Sequence, residues 1–325
     1  MPQKICVISF DNWDYDKLIV EKLIQKKIDA THIKIGGFRH KSFIERISNT
    51  LSKIILRKNP KIKKRQDFIL ETLRKKGIQD QILVINPGII EIKYLEEIKK
   101  FTPKYIAYLY DSVERNSSEH LLNGLFDEIY SFDNMDAKKY DLLLISNYNY
   151  LEIQPTSNQN NIKNEVLYIA SFDKRFKKAL ELKKIFTQLG VSFKLVVVGK
   201  KTTLFKLKKS FSKSIKGLIL KRKRISQNEL QKLYSETNIV LDIVQENQTG
   251  LSFRVFETMA FQKKLITNNK SIMEYDFYNS NNILIIDDEN ISINNDFLKK
   301  TYEPIPQNVY EKYTLDNWVK TVFKI

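Results

Sequence analysis

Cysteine occurs once in the 325 residues, at Cys6 within an apolar run, so no disulfide can close inside the chain. A lone thiol in that setting reads as a small core side chain in a reducing compartment. The three histidines, His32, His40 and His120, are scattered, and no Cys/His cluster has metal-ligand spacing, so no metal is expected. No apolar run approaches the roughly 20 residues that a membrane span needs, and the N-terminus opens directly into a strand-like run without a secretion signal. The expected location is cytoplasmic. Acidic residues are also few: 38 Asp and Glu face 55 Lys and Arg, a formal charge of +17. That surplus favours an anionic partner, whether nucleic acid, a lipid surface or a phosphorylated substrate. It is also what a Lys-, Ile- and Asn-rich composition leaves on solvated faces. The basic stretches carry few interleaved aromatics and match no nucleic-acid-binding motif, so no nucleic-acid partner is expected.

What is present is a globular composition, 42% hydrophobic and 29% charged, in a chain long enough for two domains. Short apolar runs read as strands at residues 4–9, 30–35, 82–86, 104–110, 127–132 and 142–145. They recur at 166–170, 193–198, 239–243, 265–267 and 282–286, and a further short apolar run stands at 218–220. Helical periodicity separates them, as in Leu18, Ile19, Leu23 and Ile24, or in Phe176, Leu180 and Ile185. Strand and helix in alternation predict parallel βαβ units and an α/β fold. Residues 41–76 are basic with a helical period broken near Asn59-Pro60, and residues 200–224 are basic again. Gly190 should close a helix, and Ser226 to Glu229 should open one as a reciprocal capping box. The polar, aperiodic stretch 154–164 reads as a linker, which gives domains at 1–155 and 156–310. Residues 311–325 then form a final helix, carrying Trp318, Val319 and Phe323, that packs back toward the first domain.

The organising stretch is 248–276. It joins the strand at 239–243 to that at 265–267 through a turn, Gln248-Thr249-Gly250, and a helix marked by Phe253, Phe256, Met259 and Ala260. Ser252 can cap that helix, whose free N–H groups and dipole favour an anion such as a diphosphate. Arg254 in the first turn has a fork suited to phosphate oxygens, and Glu257 one turn on could accept from two ribose hydroxyls. At a spacing of three they could instead pair with each other on a solvated face. In the first half, strands ending at Asp11, Asp111 and Asp133 point these carboxylates toward the sheet edge where α/β folds bind ligands; each could also be a turn or helix cap.

The order of these residues resembles the donor-binding segment of GT-B glycosyltransferases that build bacterial capsule and lipopolysaccharide. Gly250, Glu257, Met259-Ala260, Leu265-Ile266-Thr267 and Asn268-Asn269 carry the likeness, although Met259 stands where the pattern has a small residue. Tyr110-Asp111-Ser112 with Arg115, and Phe126-Asp127 through Asp136-Ala137, resemble the acceptor domain of the same enzymes. Many retaining members have a second glutamate eight positions before the first; Thr249 occupies that position here, so the stereochemistry is not carried over.

The resemblance implies two Rossmann-like doubly wound domains facing across a cleft, with donor bound in the C-terminal domain and acceptor in the N-terminal one. It implies transfer from a nucleotide-sugar donor to a glycan or lipid-linked glycan, without metal or cofactor. Gln248, Thr249, Gly250, Arg254, Glu257 and Arg175, which lies in the loop after the second domain's first strand, would hold the donor. Asp11 and Asp111 are the candidate bases for the acceptor hydroxyl. The basic stretch 53–76, with Ile54, Ile55 and Leu56 beside it, could dock peripherally on an anionic membrane. Three other readings stay open: a nucleotide-sugar epimerase of the same fold, a nucleic-acid-binding module, and a non-catalytic partner protein.

Overall fold

The computed structural model describes residues 2–11, 13–36, 60–116, 118–154, 162–199, 202, 216–289 and 291–325. The helical periodicity expected between 41 and 59, the centre of the expected linker and most of the basic stretch 200–215 lie outside the described residues. The chain forms two compact units, residues 1–146 with 315–325, and 147–314.

In the first unit, β1 (Lys4–Ser9), α1 (Tyr15–Gln25), β2 (Asp29–Lys34), α2 (Pro60–Lys76), β3 (Gln81–Ile85), α3 (Ile92–Lys99) and β4 (Tyr105–Leu109) follow in order. Then come α4 (Val113–Asn116), β5 (Glu128–Ser131), α5 (Asn134–Tyr140) and β6 (Leu143–Leu144). The helix α2 starts at Pro60, whose missing N–H costs nothing at a first helical position. The sheet is parallel throughout in the order β2-β1-β3-β4-β5-β6. Its central strands are buried on both faces, which is why 5–8 and 105–109 read as unbroken apolar runs rather than alternating ones.

The second unit runs β7 (Asn164–Ser171), α6 (Arg175–Gln188), β8 (Phe193–Val198), β9 (Leu218–Lys221), α7 (Gln227–Ser235), β10 (Thr237–Asp242), α8 (Phe253–Ala260), β11 (Lys264–Thr267) and β12 (Ile283–Ile285). The short helices α9 (Asn295–Lys299) and α10 (Gln307–Lys312) close it. Its sheet is also parallel, in the order β12-β11-β10-β7-β8-β9. Alternate residues of β10 face opposite layers. Ile239 and Leu241 pack with Phe176, Ala179 and Leu182 of α6, whereas Val240 packs with Val255, Phe256 and Met259 of α8. Gly190 has φ 72 just past the end of α6, the left-handed conformation that closes a helix. At the start of α7 only half of the expected capping box forms. Ser226 Oγ accepts from the Glu229 N–H at 3.3 Å, but the Glu229 carboxylate pairs with Lys221 instead.

The last helix, α11 (Leu315–Phe323), belongs to the first unit. Trp318 meets Tyr108 edge-on at 5.0 Å, Asp316 pairs with Lys26 at 2.6 Å, and the Phe323 carbonyl accepts from Gln81 Nε2 at 2.9 Å. Among the described residues no helix is long and apolar enough to cross a membrane.

Candidate functional site

Each sheet has one place where successive crossovers leave in opposite directions, and there the loops diverge and open a crevice at the C-terminal strand ends. In the second sheet that place lies between β7 and β10, and in the first between β1 and β3. Two arginines meet at the second sheet's switch point. Arg254 follows β10, and its Nη2 donates back to the Ile169 carbonyl on β7. Arg175 follows β7, and its Nη1 donates at 3.1 Å to the Ile243 carbonyl just beyond β10. Each guanidinium thus reaches across to the neighbouring strand.

An aspartate orients each of them. Asp242, the buried last residue of β10, accepts from Arg254 Nη1 at 2.5 Å and from Ser252 Oγ at 2.9 Å. Ser252 Oγ also accepts the Arg254 N–H at 3.2 Å, so the expected cap of α8 is present and tied to the strand end. Asp173 takes Arg175 through Nε at 3.0 Å and Nη2 at 2.5 Å. Burial opposes the charge of each arginine most strongly of any single cause, but the paired aspartate and the neighbouring acidic and tyrosine groups together outweigh it and hold each guanidinium above its ordinary pKa. A guanidinium has five N–H donors, so both retain donors beyond these bonds. The Tyr168 ring lies 5.6 Å from the Arg254 guanidinium. Its buried hydroxyl has no partner among the described residues, and burial pushes it up to about 12.

The turn before α8 is built differently from expectation. Its left-handed residue is Asn247, at φ 61, rather than Gly250. Gln248 Nε2 donates to the Gly250 carbonyl at 2.9 Å, and Asn269 Nδ2 donates to the carbonyls of Thr249 and Gly250 at 3.1 and 3.3 Å. Arg254 and Glu257 do not pair with each other. Glu257 is buried, and both of its oxygens accept tyrosine hydroxyls: Tyr150 at 2.6 Å on the outer side and Tyr234 at 2.9 Å within the core.

In the first unit the two candidate bases differ in setting. Asp11 stands at the switch point, buried, in the left-handed region at φ 41. Its Oδ1 accepts the Asp16 N–H at 3.3 Å and its Oδ2 lies 3.3 Å from Lys34 Nζ. Asp111 follows β4, away from the switch point, and pairs with Arg115 one helical turn on at 2.8 Å. Asp133 is a helix cap, accepting from the N–H groups of Met135 and Asp136. Sequence reasoning missed Asp242, Asp173, Tyr150 and Tyr234 at the second sheet, and Ser9, Asp16, His32 and Lys34 around Asp11. For Asp242 a signal existed: a carboxylate closing an otherwise apolar strand.

The fold is that of the GT-B class, two Rossmann-like α/β domains. Among solved structures it is similar to an alpha-glucosyltransferase in complex with UDP-glucose and DNA containing an abasic site, at 13% identity and TM-score 0.60, covering 100% of this chain and 95% of that one. It is similar to AviGT4, a glycosyltransferase involved in avilamycin A biosynthesis, at 10% identity and TM-score 0.60, covering 99% and 96%. It is also similar to UDP-GlcNAc 2-epimerase from Neisseria meningitidis bound to UDP-GlcNAc, at 10% identity and TM-score 0.54, covering 98% of each chain. No family model and no curated protein matches the sequence. The sequence alone argued against a nucleic-acid partner. Since the same fold occurs in a complex with DNA, the fold gives no ground for that exclusion.

Proposed function

We propose that this chain is a metal-independent glycosyltransferase that moves a sugar from a nucleotide-sugar donor to a growing surface glycan of the capsule or lipopolysaccharide kind. The observation that carries this is the pair of crossed guanidiniums of Arg175 and Arg254 at the second sheet's switch point, beside the N-terminus of α8. Fixed cations in a partly buried setting stabilise the charge that develops on a departing diphosphate. Gln248, Thr249 and Gly250 shape the turn beside it. Glu257 takes the ribose in exchange for the Tyr150 hydroxyl, the outer of its two partners. In the first unit, Asp11 accepts the proton of the acceptor hydroxyl as its oxygen attacks the anomeric carbon and the bond to the diphosphate breaks. Asp111 is the second candidate for that role. A thermal-shift panel of UDP, GDP, CDP and CMP tests the donor site, because a bound nucleotide raises apparent stability by mass action. Stabilisation by one of them supports the reading, and no response to any removes it.

Two further readings have specific support. The epimerase neighbour shares the fold, and turnover of a nucleotide sugar without any acceptor would favour that activity. The basic helix α2 exposes Lys64, Phe68 and Lys75 at positions four and seven apart, a stripe suited to peripheral docking on an anionic membrane. The charge of +17 and the neighbour's complex with DNA make nucleic acid the competing anion. Sedimentation with anionic liposomes against neutral ones, beside a duplex and a single-stranded oligonucleotide, separates them. Binding to anionic vesicles that weakens with salt and drops when Lys63, Lys64, Lys75 and Lys76 are changed to Gln supports the membrane; preference for oligonucleotide overturns it.

A further inference from the structure

Arg65 lies in the second turn of α2, and its guanidinium stands 4.9 Å from the centroid of the Phe10 ring, which directly follows β1 and precedes Asp11. That ring packs on the first unit's core, and the Phe10 carbonyl fills the space that a Cβ would need at Gly36, just beyond β2. The next residue, buried Gln66, clamps α2 to the start of α3. Its Nε2 donates to the Glu91 carboxylate at 3.0 Å, and its Oε1 accepts the Glu91 N–H at 2.6 Å. Asp67 then accepts the Tyr94 hydroxyl at 2.7 Å. Arg65 is thus fixed between the loop that follows β1 and the one that follows β3, the two strands that flank the first sheet's switch point.

Its charge is not compensated. Arg115, Arg175 and Arg254 each pair with an aspartate. Arg65 is partly buried, its Nε–H is buried without an acceptor, and no carboxylate pairs with it among the described residues. The acids around it are engaged elsewhere: Asp67 with Tyr94, Glu91 with Gln66 and Lys93, Asp11 with Lys34. Burial alone acts on the guanidinium and lowers its pKa. An aromatic ring attracts a cation but supplies no lone pair, so the N–H donors remain unspent. Partly desolvating a cation without a counter-ion is costly, and an anion entering the crevice would offset that cost.

We propose that Arg65 binds a phosphoryl group carried by the acceptor, so that the acceptor is a phosphorylated glycan. The first turn of α2 holds no acid, and Lys63 and Lys64 are exposed beside Arg65. In that positive field a phosphate monoester, with about −1.5 to −2 charges and three acceptor oxygens, gains more than a carboxylate does. The planar fork of the guanidinium matches two of those oxygens at once. Phe10 and Asp11 are consecutive, so a phosphoryl group held here anchors the acceptor beside the residue proposed to take its proton. Arg65 does not belong to the exposed stripe of Lys64, Phe68 and Lys75, because it turns inward to Phe10.

The role in the acceptor rests on the glycosyltransferase reading, but the anion site is read without turnover. The whole chain, labelled with 15Nε arginine, is followed by NMR at neutral pH and constant ionic strength. Arg65→Gln identifies the Arg65 signal by its loss, and Arg65→Lys serves if that variant fails to fold. The probes are inorganic phosphate, glucose 6-phosphate, acetate, and vesicles of phosphatidylglycerol. The expected result is an Arg65 signal that shifts saturably with both soluble phosphates, at concentrations roughly tenfold or more below those needed with acetate. Because each arginine reports separately, phosphate binding at Arg175 and Arg254 does not confuse the result. An Arg65 signal that ignores both soluble phosphates, or follows acetate equally well, would overturn the proposal. A response to the vesicles alone would assign Arg65 to lipid headgroups and overturn it too. A nucleotide panel without response would remove the transferase reading and leave this titration unchanged, whereas a silent Arg65 beside a responding nucleotide removes only the phosphorylated acceptor.

Discussion

Replacing Arg254 by alanine should produce two separable losses. The first is stability. Asp242, with its side chain 1% exposed, would keep the Ser252 hydroxyl but lose its counter-charge. Removing one member of a buried ion pair costs about 3–5 kcal/mol. Because the Arg254 side chain is 19% exposed, solvent reaches that flank, and the lower end, about 3 kcal/mol, applies. At about 2–4 °C per kcal/mol for a domain of this size, the melting temperature should fall by about 6–12 °C. The second loss is nucleotide affinity. A charge-assisted hydrogen bond to the diphosphate contributes about 1.5–3 kcal/mol, or roughly one to two decades in Kd. The control is Arg254→Gln with Asp242→Asn, a neutral pair that leaves no buried charge. It should recover most of the stability and none of the affinity. Scanning fluorimetry gives the first quantity and titration calorimetry, well below the melting temperature, the second. An Arg254→Ala protein that melts within about 2 °C of wild type would refute the coupling to Asp242. A double variant with wild-type affinity would refute the role at the diphosphate.

Glu257→Ala removes the carboxylate that accepts the Tyr234 hydroxyl in the core, which should cost about 1–3 kcal/mol of unfolding free energy in urea titration, and Tyr234→Phe in the same background should restore part of it. Asp111→Asn weakens a solvent-accessible pair with Arg115, which should change stability by less than about 1 kcal/mol. If Asp111 serves the acceptor, turnover falls while nucleotide affinity holds; normal turnover leaves Asp11 as the candidate base. Burial pushes Lys263 down to about 8, and the unfolded chain releases that proton near 10.5. Between about 8 and 10.5 the unfolded state binds more protons, so stability should rise with pH there and stay flat just below. Lys264 is pushed down in the same way, but its ammonium donates to the carbonyls of Phe297, Leu298 and Lys300, which hold the charged form. Lys263→Met should therefore remove part of the rise, as urea midpoints at the two ends of the range will show.

Strands were the most legible part of the sequence because a parallel sheet buried on both faces needs continuous apolar runs, and such runs leave little ambiguity. The run at 239–243 became Thr237–Asp242 and that at 82–86 became Gln81–Ile85, differences of one or two residues at the ends. Partners of polar side chains were not legible. Arg254 and Glu257 are three apart on α8, and local spacing suggested that they pair. Instead the helix buries Glu257 against Tyr234, while Arg254, in the first turn, bends to a carboxylate 12 positions earlier. Arg175 reaches a carbonyl 68 positions away, a contact that exists only once β7 and β10 are neighbours. Asp133 illustrates the converse: the sequence left it between a ligand-facing carboxylate and a turn or helix cap, and it is a cap. The sequence could show which strands end in a carboxylate; the strand order shows that Asp11, and not Asp111, stands at a switch point.

Where β7 and β10 part, main-chain pairing ends at Leu241 and Tyr168, and the carbonyls beyond have no opposite strand to face. Bare carbonyls at the floor of such an opening would present partial negative charge to anything entering. Here the carbonyls of Ile169 and Ile243 are each covered by a guanidinium from the opposite loop. The dipoles that would repel a phosphate are thereby spent on holding cations in register, and the polarity of the opening is reversed. Lysine could not do this at either position, since a single ammonium lacks the planar fork that grips an aspartate with one edge and a carbonyl with the other.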